Sequence, residues 1–193
     1  MAFAVAFLTS RHFCQENALT TTPFSPDPAL HAKQMSMTLL MTPDMANFSG
    51  NVHGGIILKL LDQVAYACAS RYAGKYVVTL SVDQVMFRQP IHVGEMVTFL
   101  ASVNYTGRTS MEIGIKVIAE NIRSQELRHA NSCFFTMVAV DDDGVPCAVP
   151  PLNPTTADEK RRFASAKIRR DLRQEFEQRR QAVKAHYLAQ QSA

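Results

Sequence analysis

Asp62 is the side chain in this sequence that most needs a chemical explanation. It is a carboxylate in the middle of an apolar run, GNVHGGIILKLLDQVAYACASRY, residues 50–72. An ionised carboxyl in such a run is costly without partners. It follows Gly54 and Gly55 by about two helical turns, which brings it roughly to their face of a helix. Two glycines at a helix N-terminus leave backbone N–H groups bare at the positive end of the helix dipole. They also let a carbonyl oxygen approach those donors, the chemistry of an oxyanion site. A carboxylate and an oxyanion site together suggest transfer of an acyl group to water. The spacing alone equally allows a blander outcome, in which Gly54-Gly55 serves close packing and Asp62 caps or pairs with a neighbouring chain. His53 precedes the glycines, but a lone histidine is more often packed or hydrogen-bonded than a base. Paired with Asp62, it would be the local couple for a hydratase or dehydratase.

The elements that must position these groups can be read from periodicity. Ile56, Leu60, Val64 and Cys68 recur every fourth residue, widened by Ile57, Leu61 and Ala65, so residues 51–72 form a helix buried over most of its surface. A strand is expected at MSMTLLM before it. Four runs follow, KYVVTLSVDQVMF, EMVTFLASVNY, SMEIGIKVIAEN and HANSCFFTMVAVDDDG, rich in β-branched and aromatic residues. Met111, Ile113, Ile115 and Val117 alternate with Glu112, Gly114 and Lys116, as in a strand with one face on a core. Consecutive strands with short connections favour an antiparallel sheet, and the apolar helix must be covered by it. The fold class is therefore α+β, with a long central helix wrapped by a curved antiparallel sheet.

Outside this body, residues 1–33 are expected to be a flexible leader, with the Thr- and Pro-rich TTTPFSPDP as linker. Residues 153–193 are expected to be a Pro-rich linker and a basic amphipathic helix over 157–188, with Ile168, Leu172, Phe176 and Val183 as its apolar stripe. The last 37 residues hold 10 of the 20 Lys and Arg but only 5 of the 17 Asp and Glu, so the basic excess belongs to the tail. Without interleaved aromatic residues, that helix gives no platform for bases, and no nucleic-acid partner is expected. It is expected to dock on its own oligomer; binding an anionic surface or self-association are the other readings.

With 47% hydrophobic and 19% charged residues the chain is globular, and no apolar run is long enough to span a membrane. Its four cysteines show neither CxxC spacing nor partner histidines, so no metal site is expected, and scattered thiols suit a cytoplasmic location. Gly50-x-x-x-Gly54-Gly55 lacks the spacing and the Lys-Ser/Thr ending of a phosphate-binding loop.

The run GNVHGGIILKLLDQVAYACASRY resembles the central-helix signature of hotdog-fold acyl-CoA thioesterases, particularly the cytosolic acyl-CoA hydrolase group. The resemblance continues through VVTLSVDQVMFRQPIHVGEMV, with Phe87, Pro90 and Gly94 in the family's pattern, and through GRTSMEIGIKV and NSCFFTMVAVDDDGVP. It implies a single hotdog domain over 34–152 that hydrolyses acyl-CoA to fatty acid and CoA. It also implies a homodimer with active sites between subunits, assembling further as a trimer of dimers. One chain would supply Asn51 and the glycine-rich helix start, its partner Asp62. The pantetheine arm of CoA would lie beside Val78 and Thr79 and near the turn at Arg108, Thr109 and Ser110. Arg108 would meet a phosphate there. No cofactor is implied, since CoA is part of substrate and product. In this reading Gly54 or Gly55 holds the thioester carbonyl, Asn51 orients water or substrate, and Asp62 is general base or direct nucleophile. The alternative is a hotdog protein that binds acyl-CoA as a sensor or regulator without turnover.

Overall fold

An apolar helix followed by four strands has one economical solution, and the chain adopts it. The computed structural model describes residues 32–191; the leader expected over 1–33 lies outside them apart from its last two positions. Strand β1 (Gln34–Leu40) leads through a short turn at Pro43–Met45 to helix α1 (Gly54–Ala73). Strands β2 (Tyr76–Val82), β3 (Met96–Thr106), β4 (Ser110–Asn121) and β5 (Glu126–Val140) follow, then helix α2 (Ala157–Gln191). All pairings are antiparallel, in the order β1-β3-β4-β5-β2, so β2 returns after the helix to the far edge of the sheet.

Helix α1 is capped at both ends by its own sequence. His53 is the N-cap, its Nδ1 accepting from the Gly55 N–H at 2.9 Å. Gly74 takes the left-handed conformation that closes a helix C-terminus, φ 63°, and donates to the Ser70 carbonyl. Ile57, Leu61, Val64, Cys68 and Tyr72 form the inward stripe, packed against Val97, Phe99, Ile113, Val117, Phe135 and Met137. The helix is less buried than the pattern suggests. Leu58, Lys59, Asp62, Gln63 and Tyr66 remain exposed, because the sheet wraps it from one side only.

The buried cysteines follow from this packing. Cys68 and Cys133 are enclosed, and desolvation pushes each thiol up to about 12. A neutral thiol reagent applied to the native protein at pH 8 is therefore expected to modify Cys147 and to spare Cys68 and Cys133. Peptide mapping checks this; rapid labelling of either buried thiol would contradict the packing.

Strand β4 is not one-faced. Glu112 and Gly114 are buried like their apolar neighbours, because α2 lies across the outer face of the sheet. Gly114 is required there, since a Cβ would collide with the Asn104 amide. Arg169 donates to Glu112 at 2.6 Å and stacks its guanidinium on Phe134, 3.6 Å from the ring centroid. Arg173 reaches both Asp83, at 2.6 Å, and Glu112, at 3.4 Å. Phe163 meets Tyr105, and Ala166 is fully buried. The helix starts with a capping box: Thr156 Oγ1 accepts from the Glu159 N–H, and the Glu159 carboxylate accepts from the Thr155 and Thr156 N–H groups. Those bonds, the Thr155 backbone donor foremost, hold the Glu159 carboxyl at about 2.

Within the chain, the face of α2 that meets the sheet is not its apolar stripe. Ile168, Leu172, Phe176 and Val183 point away from the sheet and are 57–69% exposed. A small residue and arginines make the contact instead, because a buried glutamate and an aspartate wait beneath them.

Candidate active site

Asp62 lies on the open face of α1, where β2 passes beside the helix. Thr79 Oγ1 donates to its Oδ1 at 2.7 Å, and among the described residues no other side-chain donor is recorded on the carboxylate. The hydroxyl also touches Met137 Sδ at 3.6 Å. Thr79 thus holds the carboxylate through Oδ1. Thr79, expected beside pantetheine, is first a partner of Asp62.

At the start of the helix a second cluster forms. Asn47, Asn51, Gly54, Phe87, Arg88 and Pro90 line a cavity of about 320 Å³. Phe87 roofs it; a Cβ on Gly54 would stand 3.6 Å from its ring, an ordinary contact. The Gly55 N–H is spoken for by His53, whereas among the described residues the Gly54 N–H has no acceptor. Of the two glycines expected to hold a carbonyl, Gly54 offers the bare donor. Gly55 instead makes room for the His53 ring, 3.1 Å from where its Cβ would be.

Asn51 lines the cavity, with its backbone bridged to His92. Among the described residues its carboxamide has no hydrogen-bond partner. Asn47 is more constrained. Its Oδ1 accepts from the Ser49 N–H at 2.9 Å and the Asn51 N–H at 3.1 Å. Because both neighbours are donors, the carboxamide orientation is forced, and its NH2 end is left for the cavity. The sequence reading passed over Asn47. Its only local signal was an Asn four residues before a second Asn, the spacing of a self-capping turn.

The two clusters do not meet within one chain. Gly54 and Asp62 are eight residues apart on a continuous helix, about 12 Å at 1.5 Å per residue. A reacting carbonyl must lie about 3 Å from its donor and from its nucleophile, which is either Asp62 itself or a water that Asp62 holds. His53 and Asp62 are about 13 Å apart by the same rise, so they form no acid–base couple within the chain.

The remaining candidates lie in one row across the sheet. Val78 pairs with Val138, and Val138 with Ser110. Strand alternation puts Val78 and Ser110 on the outer face, whereas Thr79 shares the inner face with Asp62. The turn at Arg108 and Thr109 is held by its backbone, through carbonyls that accept from Val149 and Ala139. The Arg108 side chain is exposed. Among the described residues no group of three or more His, Cys, Asp or Glu could hold a metal, and no helix is long and apolar enough to cross a membrane.

A model of the thioesterase superfamily matches residues 49–125, the stretch that carries the Asp62 helix and the cavity lining other than Asn47. Protein VdlD of Helicobacter pylori is 50% identical over 150 residues, 78% of this chain and 85% of that one. A crystal structure of an apo-hexameric acyl-CoA thioesterase superimposes with a TM-score of 0.72 at 36% identity, covering 74% of this chain and 92% of that one. The chain belongs to the thioesterase superfamily, among its acyl-CoA hydrolases. The cytosolic acyl coenzyme A thioester hydrolase of Rattus norvegicus is 38% identical over 75% of this chain, which spans 39% of that longer protein. An acyl-CoA hydrolase of Staphylococcus aureus, solved with butyryl-CoA and CoA, has a TM-score of 0.72 at 29% identity, covering 81% of this chain and 95% of that one. Structures of the Staphylococcus enzyme also exist with alanine replacing an asparagine at its position 28, an aspartate at 43 and a threonine at 60. The wrapped-helix architecture of this thioesterase is the hotdog fold that the sequence resemblance implied.

Proposed function

We propose that this thioesterase hydrolyses acyl-CoA at sites completed by two copies of the chain, with Asp62 of one copy facing the Gly54 cavity of the other. This reading is carried by the eight-residue interval between Gly54 and Asp62 on one helix, a rise of about 12 Å. The edge strand β2 supports it. Tyr76, Val78, Leu80 and Val82 are all exposed on a strand paired on one side only, an arrangement that invites a second copy edge to edge. The hexameric neighbour supports further assembly into a trimer of dimers. The cytosolic name of the rat relative supports a cytoplasmic location.

The intervals in the Staphylococcus enzyme support the residue roles. Its altered aspartate and threonine are 17 positions apart, as are Asp62 and Thr79. Its altered asparagine lies 15 positions before the aspartate, and the same count back from Asp62 reaches Asn47 rather than Asn51. Asn47, with its carboxamide already oriented, is therefore assigned the polarising or positioning role first given to Asn51. Asn51 closes the turn behind it.

In the chemistry that follows, the thioester carbonyl accepts from the Gly54 N–H and the Asn47 NH2. Asp62 removes a proton from water as the water oxygen bonds to the carbonyl carbon, or attacks that carbon itself to give an anhydride that water opens. The carbon–sulfur bond breaks, and CoA leaves as the thiol once its sulfur is protonated. CoA is assigned to Thr79, the Val78 backbone and the Arg108-Thr109-Ser110 turn, with the Arg108 guanidinium free for a phosphate.

Free-thiol release from a panel of acetyl- to palmitoyl-CoA tests the reaction. Turnover of at least one chain length is expected. Silence across the panel with tight CoA binding would instead establish the sensor.

A further inference from the structure

Residues 83–91 leave the sheet after β2 and form the wall of the Gly54 cavity with Phe87, Arg88, Gln89, Pro90 and Ile91. This wall has few backbone ties: the Asp83 N–H donates to Phe134, the Arg88 N–H reaches Ala130 at 3.4 Å, and the Ile91 carbonyl accepts from Val52. Side chains hold its two ends. At the far end Arg128 donates to the Pro90 carbonyl while paired with Glu95. At the near end Asp83 accepts from Arg173 of α2 at 2.6 Å.

We propose that Arg173 is a positioning residue for the acyl-CoA site: through Asp83 it fixes the wall whose Phe87 roofs Gly54. The C-terminal helix thereby takes part in substrate binding without touching substrate. The guanidinium is preset for this task, because Glu112, 2% exposed, shares it at 3.4 Å and is itself held by Arg169 at 2.6 Å. An arginine can bridge two carboxylates in one plane in a way a single ammonium cannot. Burial raises the Asp83 carboxyl while Arg173 opposes the rise, so the contact is a desolvated one. Asp62 and Thr79 depend on α1 and on the pairing of Thr79 with Met137, four residues before the Asp83 that Arg173 holds. Loosening the wall therefore removes binding shared by ground state and transition state, which appears in KM and not in kcat.

This inference rests on the Gly54 cavity being where acyl-CoA binds, so the experiment uses steady-state kinetics of the full chain with four variants. Arg173→Ala is expected to raise KM about fivefold with kcat changed less than about twofold. Phe87→Ala, which removes the roof directly, is expected to raise KM as well. Phe163→Ala weakens the seat of α2 on Tyr105, remote from Asp83, and is expected to leave KM unchanged. Should Arg173→Ala not give folded protein, Asp83→Asn carries the same expectation. If Phe87→Ala leaves KM unchanged, the cavity reading fails. If Phe87→Ala raises KM and Arg173→Ala does not, the positioning role is overturned. Equal effects of Phe163→Ala and Arg173→Ala would overturn it too, since docking of the helix alone would then suffice.

Discussion

Asp62→Asn is expected to lower turnover by about 10²-fold or more while leaving the fold and the oligomer unchanged. Asparagine has the shape of aspartate, and its carbonyl oxygen can accept the same 2.7 Å bond from Thr79. The side chain lies on the exposed face of α1 within its own chain, so the fold of each copy loses no buried charge. What disappears is an oxygen able to take a proton or attack a carbonyl. If Asp62 only anchored β2 through Thr79, the variant would work nearly as well as the natural chain. Thiol release by purified protein, with size-exclusion chromatography as control, separates the two outcomes, and near-normal turnover ends the catalytic assignment. A single turnover in ¹⁸O-water divides the surviving mechanisms. A general base gives a fatty acid carrying the solvent label and never labels Asp62, whereas a nucleophile whose anhydride water opens at the Asp62 carbonyl gives an unlabelled acid and leaves the label on Asp62.

The reason Asp62 was legible in the sequence is that helical periodicity makes a misplaced charge visible. The same periodicity located α1 and, with strand alternation, all five strands. Side chains whose roles depend on distant partners stayed hidden. Glu112 reads as the outward residue of an alternating strand, yet it is 2% exposed because arginines 57 and 61 residues away close over it. For the same reason the arginine face of α2, and not its apolar stripe Ile168, Leu172, Phe176, meets the sheet of its own chain. Spacing reports which residues share a face, and only the sheet's buried carboxylates decide which face docks. Asn47 was missed for a local reason. Its carboxamide is oriented by the turn it closes, and a turn-forming asparagine looks alike whether or not its free amide faces a ligand. His53, tempting beside two glycines, uses its Nδ1 to cap the helix at the Gly55 N–H.

Two dead variants should revive each other. Asn47→Ala destroys the carbonyl cluster and leaves Asp62 intact; Asp62→Asn does the reverse. If each site combines one cluster from each copy, a mixed dimer contains one doubly damaged site and one with both clusters whole. Unfolding and refolding the two purified variants together at equal amounts gives half mixed dimers by random pairing, so activity should return to about a quarter of the natural level. Each variant refolded alone stays inactive. The expectation follows from helix geometry: eight residues of rise keep Gly54 and Asp62 about 12 Å apart in any one chain, and bending a regular helix does not close that gap. A site assembled within a single chain would give no recovery at any mixing ratio. The readout is thus a gain of function, which loss of stability in either variant cannot imitate. It also assigns Asn47 against Asn51, because Asn51→Ala paired with Asp62→Asn should show recovery only from a variant that was itself impaired.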